Sequence, residues 1–129
     1  MITKDEFEKY CDEHKLRRTF DKYYWLEDYL QKDWEKWIFI TLCCYGYIET
    51  AKWLYSLGNI DIHVENEFAF RLSCYYGHDE IAKWLYSLGN IDIHVENEYA
   101  FRYSCYHGHL EMGKWLYSLE NVNIHALNE

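Results

Sequence analysis

AKWLYSLGNIDIHVENE runs from Ala51 to Glu67 and recurs unchanged from Ala82 to Glu98, an offset of 31 residues. Carried further, Ala51–Ile81 and Ala82–Met112 are identical at 26 of 31 positions. A third copy begins at Gly113, carries KWLYSL over 114–119 and still reads N-x-x-I-H from Asn121 to His125. A fixed period of this size marks a stacked array of small units, each too small to bury its own apolar face. Such an array points to a binding scaffold ahead of an enzyme.

The middle copy can be read physically. Asn66 is a candidate helix N-cap, since its side chain can accept a first-turn N–H. Phe68, Leu72, Cys74 and Tyr75 follow at helical steps and predict an apolar side. Gly77 ends the helix, because glycine takes the left-handed conformation without steric cost. A second helix is predicted from Asp79 and Glu80, whose charges oppose the positive end of its dipole. Ile81, Trp84, Leu85 and Leu88 form its stripe. Gly89-Asn90 closes it, and Ile91–Glu96 is expected to be an extended connector. Each unit thus reads as helix, tight turn, helix, extended loop.

GHDEIAKWLYSLGNIDI (Gly77–Ile93) and GHLEMGKWLYSLENVNI (Gly108–Ile124) resemble ankyrin repeats, whose pattern there is G-H-x-E-I-V-x-L-L-L-x-x-G-A-D. Gly46-Tyr47-Ile48-Glu49 is a weaker version of the same turn. The resemblance covers about residues 33–129. It implies an all-α, ankyrin-type helix-turn-helix repeat solenoid with units of about 33–63, 64–94 and 95–129, preceded by an atypical N-terminal helical cap over 1–32. The chain departs from the family in three ways. Its period is 31, not the usual 33. FAFRLS and YAFRYS replace the T-P-L-H-x-A segment. It contains no proline. The short repeat with N-E-[FY]-A-F-R is similar in style to ankyrin arrays of large DNA viruses of amoebae.

The chain has 129 residues, about one domain's worth. Half of them are apolar, enough for a continuous core. Its 14 tyrosines and 6 tryptophans recur in columns: Trp53, Trp84 and Trp115, and Tyr55, Tyr86 and Tyr117. Flat side chains one period apart are expected to fill the space between stacked units. Base stacking is the alternative, and charge opposes it. Thirteen basic against 22 acidic residues leave a net charge of −9, whereas phosphate binding depends on basic patches. No Lys/Arg cluster exceeds Lys15–Arg18. Nucleic acid is therefore excluded as the expected partner.

The longest apolar stretch, Trp37–Tyr47, is far short of the roughly 20 residues that span a membrane. MITKDEFEKYCDEHK is charged from its fourth residue and lacks a signal peptide's apolar core. An intracellular, cytoplasmic location is expected. The five cysteines agree. Cys43, Cys74 and Cys105 share one repeat position and read as buried free thiols.

Residues 1–32 do not match the repeat. Thr3-x-x-Glu6 can form a capping box, followed at helical spacing by Phe7, Tyr10, Cys11 and His14. Thr19 can open a second helix carrying Tyr23, Leu26, Tyr29 and Leu30, and Asp33 can cap the first unit. Charged outer residues suit this pair to closing the open end of an array; an independent recruiting module is the rival. At the other end, Gly113, Glu120 and Asn123 replace Ala82, Gly89 and Asp92. Such drift suits a terminal unit, although a cut from a longer array stays open.

Three constellations could carry chemistry. His63, His94 and His125 form a column, but packed helices lie about 8–10 Å apart and zinc needs nitrogens near 2.0–2.1 Å. One ion could hardly join them. His78 and His109 occupy the ankyrin G-H turn, which the resemblance implies they brace by hydrogen bonding. Cys105, His107 and His109 are spaced as ligands only by coincidence with that turn. Ser73 and Ser104 lack a nucleophile elbow. No acid/base pair stands apart from the scaffold, so neither catalysis, a metal nor a cofactor is expected.

What remains is the surface. The resemblance implies that a partner lies across the concave face of connectors and first helices. On this chain that face would carry Glu65, Glu67, Tyr75 and Tyr76, and one unit on, Glu96, Glu98, Tyr106 and His107. In-register carboxylates beside tyrosines suit a basic, partly apolar segment of another protein, and the viral style would make the chain an adaptor acting on a host protein. Acidic solvated loops are the plainer reading of the glutamates. A structural or self-associating array, stacking through its C-terminal end, is the alternative function. A monomer is favoured.

Overall fold

The computed structural model describes residues 4–13, 34–120 and 122–124. These residues form seven helices and no strand: α1 (Lys4–Glu13), α2 (Trp34–Tyr45), α3 (Ile48–Ser56), α4 (Val64–Tyr75), α5 (Asp79–Ser87), α6 (Val95–Tyr106) and α7 (Leu110–Leu119). The first helices α2, α4 and α6 stack in order, and each pairs with its own second helix, α3, α5 or α7. One apolar cluster runs from Phe7 through Phe39, Phe70 and Leu85 to Leu116, across every unit. Burying one face of each helix against the next unit is what lets units of this size fold. The chain is a helix-turn-helix repeat solenoid, the fold the resemblance implied.

The buried face of α4 differs from the expected one. Ala69, Phe70, Ser73 and Cys74 point fully inward, while Phe68, Leu72 and Tyr75 lie half-buried on the flank. The small residues Ala69 and Ser73 let neighbouring first helices approach closely. Ser73 donates its hydroxyl to Phe70 O, and Ser104 reaches Cys74 O of the unit before. Both serines are structural. Cys43 and Cys74 are fully buried, whereas Cys105 is partly exposed.

The turns follow the glycines. Gly58 and Gly89 close α3 and α5 with φ of +97° and +101°. After α7, Glu120 stands at the repeat position of Gly89. It instead takes ordinary extended backbone, φ −149° and ψ 174°, and sends the chain along a different path. A left-handed carbon with a side chain costs about 1–2 kcal/mol, which the extended conformation avoids.

The G-H histidines brace the stack across units. His78 Nε2–H donates to Cys44 O, and His109 Nε2–H to Tyr75 O, each at 3.0 Å. Each ring covers the glycine one unit back, Gly46 for His78 and Gly77 for His109.

The tryptophans sit between units as expected, but each faces backwards. Trp84 packs on Phe39 and edge-on against Tyr55, with ring centroids 6.1 and 5.6 Å away. Trp115 packs the same way on Phe70 and Tyr86, at 6.3 and 5.6 Å. Trp53 has α1 behind it, with Phe7 at 6.2 Å and Tyr10 stacked at 3.8 Å.

The connector is not extended. Asp61 and Asp92 accept the backbone N–H of His63 and His94, closing tight turns at 2.9 Å. Three successive left-handed residues follow: Glu65, Asn66 and Glu67, and again Glu96, Asn97 and Glu98, with φ between 54° and 61°. Asn66 is therefore not a helix cap. The Thr3 box, the helix expected from Thr19, Asp33, the Lys15–Arg18 cluster and His125 lie outside the described residues.

Candidate protein-binding face

The left-handed turn that opens α4 and α6 is held by an arginine five to six residues further along the same helix. Arg71 Nε and Nη2 donate to Asn66 O and Glu65 O, at 2.8 and 2.9 Å. Arg102 does the same for Asn97 O and Glu96 O. The turn points its third residue inward. Glu67 is 4% exposed; its Oε1 lies 2.5 Å from His63 Nδ1 and its Oε2 accepts the Asp92 N–H at 3.0 Å. Glu98 is equally buried and meets His94 Nδ1. Glu67 and Glu98 are thus not surface carboxylates. A buried carboxylate without hydrogen-bonding partners would cost several kcal/mol, and the connector's histidine supplies one. The histidine column is accounted for the same way, His63 and His94 each serving its own glutamate.

Glu65 and Glu96 do face solvent. Glu65 pairs with Lys36 Nζ at 3.3 Å, and Glu96 Oε1 accepts from Asn66 Nδ2 at 3.0 Å. These contacts tie the exposed turns of successive units together.

The remaining expected residues form one aromatic cluster. Tyr75 contacts Tyr76 at 4.8 Å and, one unit on, His107 at 4.3 Å. Tyr106 stands 5.0 Å from His107 and is 81% exposed, while Tyr76 is 49% exposed. The structure adds two residues that the sequence reading missed. Tyr103 lies 5.2 Å from Tyr75, and Tyr99 lies 4.4 Å from Tyr103. A signal for them existed. Phe68/Tyr99, Leu72/Tyr103 and Tyr76/His107 are three of the five differences between the two nearly identical copies. A fourth, Asp79/Leu110, leaves Leu110 67% exposed at the start of α7.

Arg71 lies 4.9 Å from the Tyr99 ring, and Arg102 5.4 Å from Tyr103. Both guanidinium groups are held by carbonyls, so each is fixed over its ring. Burial, with lesser contributions from Cys44, Tyr45 and Tyr75, raises the Tyr76 hydroxyl. Burial raises Tyr99 too, against the opposing charge of Arg71. Both phenols stay protonated at neutral pH and present hydrogen-bond donors. The thiols of Cys43, Cys44, Cys74 and Cys105 are inert by the same physics. Burial raises Cys43, Cys74 and Cys105, and holds Cys44 at about 11, so none supplies a thiolate.

Among the described residues, no three His, Cys, Asp or Glu side chains come together as a metal site, and no helix is long and apolar enough to cross a membrane. Neither a curated protein nor a solved structure matches the chain. The family model for ankyrin repeats matches residues 39–128 in three copies, covering the three helix pairs described above except the first five residues of α2. The chain belongs to the ankyrin-repeat family.

Proposed function

We propose that this chain binds a basic segment of another protein across the face made by Glu65, Tyr75, Tyr76, Glu96, Tyr99, Tyr103, Tyr106 and His107. Ankyrin repeats generally mediate protein–protein interaction. The single observation that carries the finer reading is the convergence of copy-to-copy differences on one aromatic cluster. Where two copies agree at 26 of 31 positions, scaffold demands are already met. Three of the five exceptions assemble around Tyr75. Tyrosines give large contact area at low entropic cost. The net charge of −9 and the exposed Glu65 and Glu96 favour a cationic partner over an anionic one. In the viral setting that the repeat's style suggests, the partner would be a host protein and the chain an adaptor. The proposed role is binding without catalysis.

The test is capture of a partner from lysate, followed by binding kinetics. Charge reversal at Glu65 and Glu96 is expected to slow association, and the more so at low salt, since exposed charges are screened within about 8 Å at physiological ionic strength. A captured partner whose association ignores both glutamates and salt would remove the charge-complementarity reading.

Self-association is the second reading, favoured by one feature. Tyr55 and Tyr86 are covered edge-on by the tryptophan of the next unit, whereas Tyr117 is 61% exposed. A second copy seated on that end would cover it. Sedimentation across a concentration range decides this, and a monomer at the highest concentration contradicts it.

A further inference from the structure

We propose that His94 is a proton-controlled latch, tying the segment that follows α7 to the turn that opens α6. The imidazole is held from both sides. Nδ1 meets a Glu98 carboxylate oxygen, and Nε2 lies 3.0 Å from Glu120 Oε2. A neutral imidazole has one N–H and one lone pair, so it can donate to only one carboxylate and must present the lone pair to the other. Holding both carboxylates requires the imidazolium.

The preceding copy lacks the second half of this arrangement. His63 meets Glu67 through Nδ1, and Gly89 stands at the repeat position of Glu120. The replacement of that glycine changes two things together. The backbone leaves α7 extended instead of left-handed, and a carboxylate arrives at the histidine. The altered path has a second trace. Glu67 Oε2 accepts the Asp92 N–H, while the buried Glu98 Oε2 has no hydrogen-bond partner among the described residues. Glu98 therefore depends more heavily on His94 as its counter-charge than Glu67 does on His63.

The surroundings favour the proton. The opening turn of α6 contributes Glu96 and Glu98. The connector contributes Asp92, whose Oδ1 accepts the His94 N–H at 2.9 Å. The end of α7 contributes Glu120. The nearby cation, Arg102, is occupied by Glu96 O and Asn97 O. Burial works against the charged ring, but hydrogen bonds and charge from Glu98, then Glu120, outweigh it, and His94 is raised above its ordinary value of 6.5. The sign follows from linkage. Stabilisation by the latch is complete below that ordinary value and is lost as pH climbs through the raised folded midpoint. Above it, the one remaining N–H stays with the buried Glu98, Nε2 no longer holds the exposed Glu120, and the tie between the end of α7 and the turn that opens α6 is lost.

The experiment is a histidine NMR titration of the full chain, wild type and Glu120→Gln, with amide exchange followed at Val122, Asn123 and Ile124. Glu120 is exposed, so the variant keeps the fold and removes only the charge. The expected result has three parts. The His94 midpoint falls in Glu120→Gln. The His63 midpoint, read in the same spectra, does not move. In the wild type, exchange over 122–124 accelerates with the His94 midpoint beyond the intrinsic pH dependence, and in the variant it is fast throughout. An unmoved His94 midpoint would overturn the proposal, as would exchange over 122–124 that ignores the titration.

Discussion

A methyl group at Gly77 would sit 2.7 Å from His109 Nδ1, and one at Gly46 2.8 Å from His78, whereas one at Gly108 would meet nothing. Gly77 and Gly108 share a φ of +75°, so they form a controlled pair. Alanine at either incurs about 1 kcal/mol for the left-handed backbone. At Gly77 it also displaces the ring that donates to Tyr75 O, and the additional loss is expected on the order of 1–2 kcal/mol. Urea unfolding of the two variants checks this; equal losses would show that the histidine moves aside freely. The buried glutamate gives a second prediction at this scale. Glu67→Ala removes the partner of both His63 and the Asp92 N–H and is expected to cost about 2–3 kcal/mol, as for hydrogen bonds to charged groups. Glu65→Ala, two residues away and exposed, should stay within about 0.5 kcal/mol. Glu67 was illegible as a buried residue because its partners lie 4 and 25 positions away and its neighbours are polar. The H-x-x-x-E spacing with an arginine four residues further on, present in both copies, was the available clue.

The helices themselves were legible, because apolar period and glycine punctuation are local signals. The direction in which each helix pair leans was not, since it depends on which neighbour a ring meets. Trp84 and Trp115 both pack on the unit before them, so the last tryptophan is as well seated as the interior one. Trp84→Ala and Trp115→Ala are therefore expected to cost alike, on the order of 3 kcal/mol. A much smaller loss at Trp115, measured by thermal or urea unfolding, would show that the column depends on a following unit instead. Trp53 differs in kind, because α1 supplies its partners. The N-terminal cap proposed for residues 1–32 rests on that contact: Tyr10→Ala should raise Trp53 quenching by acrylamide and leave Trp115 alone.

For the whole molecule, the repeat period implied the solenoid, but not where its surface becomes specific. Concave-face membership rests on the ankyrin resemblance; the structure leaves Glu65, Glu96, Tyr76, Tyr106 and His107 in solvent and buries Glu67 and Glu98, which therefore leave that face. The differences between the copies mark the surface more sharply than their departures from the family pattern do. Three of the five positions where the near-identical units differ gather at one place, while the fifth, Ile81/Met112, is a conservative exchange within the core. This gathering is the proposed binding face. Its most direct test restores the middle copy's residues in the last one, Tyr99→Phe, Tyr103→Leu and His107→Tyr together, and follows dissociation of the captured partner. Each new residue already works at its equivalent position, so thermal unfolding should change by only a few degrees, on the order of 1 kcal/mol. Dissociation is expected to be at least about tenfold faster, equivalent to roughly 1.4 kcal/mol of lost contact. Dissociation unchanged in a folded triple variant would contradict it.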